Sequence, residues 1–202
     1  MTMEKAPLRI GEVIESSTLE FVAQCDALHT PPALGSVVVV REGNTETYAL
    51  VSYAETASID TGRRPVARGA GMASEEDVYR RHPELGQLLR TLFDAAIVAH
   101  RRSGRLHPYL PGHPPRVHAF VYPATPQEVA LLAAQTDLLP AIAGARVDAG
   151  EEFVAASLRA LAAAAPDPHA YLTEAGRRLV LLLRGDPTRL QSLLPKLRPP
   201  GE

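Results

Sequence analysis

Three histidines stand near one another in the middle of the chain, His107, His113 and His118. Imidazole is a good ligand for zinc and iron, so this segment is the first candidate for metal chemistry. Its spacing matches no metal-binding pattern and no carboxylate pair joins it locally. Polar positions on an extended segment are the plainer reading. Cys25 is the one cysteine. A catalytic thiol needs a base beside it, and none is identifiable. Cys25 alternates with Leu19 and Phe21 and is expected to be a small core residue. Ser16, Ser17 and Ser74 lack the strand-turn-helix context of a nucleophile elbow. Glu75, Glu76 and Asp77 follow Ser74 as the acidic first turn of a helix, which explains them better than cation binding does.

Gly62, Gly69 and Gly71 follow no strand and open no dinucleotide fingerprint. Arg63, Arg64 and Arg68 surround them, and arginines in a loop suit phosphate. These three are the candidate phosphate or partner contacts; solvated loop arginines are the bland alternative. The only lysines are Lys5 and Lys196. Neither sits in the Gly-Lys-Ser/Thr setting of a phosphate-binding loop. The residues therefore give no catalytic, cofactor or metal assignment, and enzymatic activity is not expected.

The 202 residues suffice for one domain with an appendage, or for two small ones. At 46% hydrophobic and 22% charged, the chain can bury a core. A single cysteine excludes a disulfide framework. With no apolar run near ~20 residues and no signal-peptide pattern at the start, the cytoplasm is the expected location. The formal charge of −2 argues against a strongly basic nucleic-acid coat. The arginines concentrate between residues 60 and 120, which leaves a direct nucleic-acid contact as a weaker expectation.

The elements that must position these residues begin with strands. Residues 8–15 are short and β-rich. Residues 18–26 alternate, with Leu19, Phe21, Ala23 and Cys25 on one face and Glu20, Gln24 and Asp26 on the other. Val37 to Val40, opened by Gly35, reads as a strand buried on both faces. Residues 45–54, 95–100 and 117–122 complete a small antiparallel barrel, attractive because closure removes exposed edges. A helical insert is expected over about 74–92, where Leu85, Leu88, Leu89 and Leu92 keep helical spacing.

The last third reads as helices. Thr125-Pro126-Gln127-Glu128 is a capping pattern, and Asp148 with Glu151 repeats it. Asp167-Pro168 and Asp186-Pro187 start two more. Val154, Leu158 and Leu161, then Leu172, Ala175, Leu179 and Leu182, then Leu190, Leu193, Leu194 and Leu197 form apolar stripes, enough for a small bundle. Leu179, Leu181, Leu182 and Leu183 make one helix apolar on more than one side. The expected fold is α+β: a barrel domain over 1–123 with its helical insert, then an α-helical domain over 124–202.

Ile10 to Phe21 resembles the opening hairpin of a HAS-barrel, the domain shared by the HerA DNA translocase and rotary ATP synthase subunits. Gly35 to Val40 resembles the strand that follows it there. Tyr109 to Tyr122 resembles the proline-containing exit of the HerA barrel, as found also in small stand-alone bacterial proteins of this kind. The likeness covers residues 8–123 well and the tail loosely. Where HerA continues into its ATPase domain, this chain continues into leucine- and alanine-rich helices, so ATPase activity does not carry over. HAS-barrels form the rim of hexameric motors, and in HerA that rim docks the NurA nuclease. The resemblance thus implies a non-catalytic adaptor linked to a HerA–NurA-like DNA end-processing or repair system. Its implied partners are a NurA-like nuclease, a HerA-like motor ATPase or a second copy. The alternatives are a small enzyme or ligand-binding protein using a barrel–helix cleft near His107, His113 and His118, and a direct nucleic-acid binder through the arginine-rich middle.

Overall fold

The computed structural model describes residues 8–60, 62 and 64–198. Strands β1 (Gly11–Ser16), β2 (Glu20–Cys25), β3 (Val37–Glu42), β4 (Thr45–Ser58), β5 (Leu89–Arg102) and β7 (Phe120–Pro123) pair in the order β2-β1-β7-β3-β4-β5. A further β2–β5 pairing closes this sheet into a six-stranded antiparallel barrel. Strand β6 (Arg105–His107) hairpins back onto the end of β5 outside the ring. The α-helices among the described residues are α1 (Glu75–Arg81), α2 (Leu85–Leu88), α3 (Pro126–Ala133), α4 (Leu138–Gly144), α5 (Gly150–Ala162), α6 (Pro168–Leu182) and α7 (Pro187–Leu193), with a 3-10 turn at Leu194–Leu197 after α7. None is long and apolar enough to cross a membrane.

Period-two alternation decides which side chains fill the barrel. Phe21, Ala23 and Cys25 point inward, where Phe21 meets Phe93 edge to face at 6.5 Å. Val38 and Val40 join them, while Val37 and Val39 point outward beneath the helices. Val37–Val40 is therefore buried on both faces, as its run of β-branched residues predicts. The outward face of β3, β4 and β5 forms a second core with Leu132, Ile142, Phe153, Leu158, Leu161 and Leu179. The C-terminal helices thus share their core with the outside of the barrel. Gly35 lets α5 approach: with φ +77°, it sits where a Cβ would overlap the backbone of Ala156 and Ser157.

Several expectations are corrected. Leu19 is 58% exposed and lies outside β2. The Ser17 hydroxyl accepts from the N–H groups of Leu19 and Glu20 and draws this stretch into the hairpin turn. The helical insert stops at Leu88, because Leu89–Leu92 pair with Glu55–Ser58 and extend both strands to 14 residues. Sheet pairing overrides the leucine spacing there. The strand expected over 117–122 starts only at Phe120, after a turn in which His118 takes φ +70°. Asp148 does not cap α5, whose N-cap is Ala149 with no side-chain bond. Leu182 and Leu194 are exposed at 44% and 37%, while Leu172, Ala175, Leu179, Leu193 and Leu197 of the same stripes are buried and Leu190 is half-buried. Helix α4, interrupted in sequence by Pro140, was not expected at all.

Candidate functional site

An open cleft lies on the outer face of β7. Because Val121 points into the barrel, its neighbours Phe120 and Tyr122 point out. Each ring carries a guanidinium: Arg9 Cζ lies 4.3 Å from the Phe120 centroid, and Arg41 Cζ 5.4 Å from that of Tyr122. Arg41, Arg116, His118, Phe120 and Tyr122 line an open cavity of about 670 Å³ with Glu42. Arg116 projects from its edge with a 90% exposed side chain, and its Nε is 3.7 Å from Glu42. His118 Nδ1 is 2.6 Å from a carboxylate oxygen of Glu12 on β1.

The two arginines stacked on these rings are each held by a carboxylate. Asp26 accepts from Arg9 Nε and Nη2 at 2.7 and 2.6 Å, and this bond chiefly raises the guanidinium's pKa. Arg41 Nη2 donates to both carboxylate oxygens of Glu128 at 2.8 and 3.0 Å. Glu128 is also the third residue of α3 and closes the expected capping box with Thr125. The buried Tyr48 hydroxyl lies 2.9 Å from Glu46 and 3.3 Å from Glu128. Arg101 also binds Glu46 and, ahead of other influences, holds that carboxyl below its ordinary range. Burial, and then Glu46, pushes the Tyr48 phenol far up. This clasp ties α3 to β3, β4 and β5 and fixes the cation on the cleft floor. The arrangement offers planar rings, an arginine edge and hydrogen-bond donors, which suit contact with a partner surface.

Arg64 and Arg68 line a separate groove of about 300 Å³ with Ile59, Val66, Leu85 and Leu88. Arg68 Nη1 lies 3.3 Å from His82 Nδ1 and 3.5 Å from Glu84, so part of its charge is already answered. Arg63 falls outside the described residues. The nearby glycines serve turns: Gly62 N–H donates to Asp60 Oδ1, and Gly71 takes φ +75°.

The three histidines have different surroundings. His107 stacks on His100 at 4.9 Å with 21° between the rings, and its Nδ1 is 2.9 Å from the Tyr109 hydroxyl. His100 Nδ1 lies 3.0 Å from the Tyr109 carbonyl and can donate to it. Nearly parallel rings point their nitrogen lone pairs along nearly parallel planes, which does not suit one shared ion. His113 is exposed, and His118 pairs with Glu12. Among the described residues, no group of three or more His, Cys, Asp or Glu is placed to hold a metal. Cys25 is buried, and burial pushes its thiol up to about 11, so it stays protonated at neutral pH. Ser74 caps α1 by accepting from Asp77 N–H.

A second surface lies at the end of α6. Leu179 is fully buried, whereas Val180, Leu181 and Leu182 are 43%, 73% and 44% exposed. Sequence reasoning found the leucine run but missed the β7 cleft, which brings residues 9, 41 and 116–122 together through strand pairing. The only local signal for it was the outward alternation of Phe120 and Tyr122. The chain matches no protein-family model and no curated protein.

Proposed function

We propose that this chain is a non-catalytic adaptor whose barrel is of the HAS type and docks protein partners. The partners are a NurA-like nuclease or HerA-like motor of a DNA end-processing system. The observation that carries the docking role is the β7 cleft: two arginine-stacked rings with the 90% exposed Arg116 beside them. Arginine and aromatic side chains are the residues that most often dominate binding energy at interfaces. The closed antiparallel barrel is compatible with the HAS-type resemblance, and the sequence carries it from Ile10 to Tyr122. The exposed end of α6 supports a further contact, with a second copy or with the same partner.

The test is calorimetric titration of the chain with each candidate partner. Phe120→Ala and Arg116→Glu are expected to weaken binding at least tenfold, the cost of losing one strong interface contact of about 1.4 kcal/mol. Their melting temperatures should stay near that of the parent, since both side chains are exposed. Binding of neither protein by the parent chain would defeat the reading.

A further inference from the structure

A pocket of about 150 Å³ opens between α4 and α6, with Leu158 of α5 among its lining residues. Tyr171, Glu174, Ala175 and Arg178 recur at intervals of three and four, so one face of α6 lines it. Leu138 and Ile142 of α4 line the opposite side and are 2% and 1% exposed. We propose that this pocket binds a small monocyclic aromatic carboxylate, ring inward and carboxylate toward Arg178.

Three observations select that chemistry. The volume is about that of an apolar cavity known to take up benzene, so it admits one ring and excludes nucleotides and fused polycycles. The mouth carries one charge of each sign in its lining, Glu174 and Arg178, 2.8 Å apart, with Arg177 3.8 Å from the same carboxylate. Arg178 donates to Glu174 through Nε, and its two terminal nitrogens make no other hydrogen bond among the described residues, leaving a fork that matches a carboxylate. The Tyr171 hydroxyl likewise makes no hydrogen bond there, while burial raises its phenol to about 12. A protonated phenol on the pocket wall can donate to a ligand's carboxylate.

This proposal does not depend on the adaptor reading. Its test uses the full chain, with benzoate as the probe and benzamide as its neutral analogue, followed by amide chemical shifts and calorimetry. Benzoate should bind saturably, shift residues of α4 and α6, and bind about tenfold more tightly than benzamide. Arg178→Gln, a partly exposed change that should leave the melt unaltered, should erase the difference between the two probes. Tyr171→Phe should weaken benzoate several-fold. If that variant does not fold, Arg178→Gln decides alone. Absence of saturable binding, shifts confined to other elements, or a benzoate preference that survives Arg178→Gln would each overturn the proposal.

Discussion

At the scale of single residues, burial separates positions that alternation treats alike. Phe21 is 1% exposed inside the barrel and Leu19, two residues earlier, is 58% exposed. Phe21→Ala should therefore cost about 3–5 kcal/mol in chemical denaturation, whereas Leu19→Ala should stay within about 0.5 kcal/mol. The alternation was legible in the sequence. Its limit was not, because it depends on the Ser17 hydroxyl capturing the Leu19 and Glu20 N–H groups. The histidine stack gives a pH dependence at the same scale. The imidazole of His107 is held below its ordinary value, first by desolvation and then by His100 and Arg105. The unfolded chain thus takes up this proton first, and acid favours unfolding. The contribution is present above the ordinary value of about 6.5 and is lost as pH falls through the lowered folded value. His107→Asn should flatten the stability profile across that window. An unchanged profile would mean the stack contributes nothing.

At the scale of elements, helix starts were more legible than helix and strand extents. Thr125, Asp167 and Asp186 each cap as their sequence patterns predict, because a cap is a local bond over three residues. The lengths of β4 and β5 were not legible, since Leu89–Leu92 becomes strand only through pairing with Glu55–Ser58, more than thirty residues earlier. The clasp at Glu128 shows the same dependence, as its capping role is local but Arg41 and Tyr48 reach it from β3 and β4. Glu128→Ala removes the return half of the capping box and leaves the partly buried Arg41 with Glu46, at 3.9 Å, as its remaining counter-ion. It should cost about 2–4 kcal/mol, read as a lowered denaturation midpoint. Thr125→Ala loses the cap alone and should cost about 1 kcal/mol. Equal effects would show that the ion pair with Arg41 adds nothing. Glu46, held low by Arg101, adds an acid-sensitive contribution below the ordinary glutamate range, separate from that of His107.

At the scale of the whole molecule, one barrel wall serves two cores. Val38 and Val40 fill the barrel while Val37 and Val39 seat the C-terminal helices. The barrel class and the helical tail were legible from period and composition; the layering was not, because nothing local states which face a helix will cover. That layering leaves the β7 cleft and the end of α6 exposed. Leu181→Glu changes a side chain that is 73% exposed, so it should leave folding within about 0.5 kcal/mol of the parent. Any assembly that covers the end of α6 should be weakened by it. The most direct measurement of the adaptor claim is multi-angle light scattering of the chain at micromolar concentration, alone and mixed with the candidate nuclease and motor subunits. A discrete complex with at least one of them is expected, lost with Phe120→Ala in a folded protein. A chain whose mass is the same with and without both proteins would contradict it.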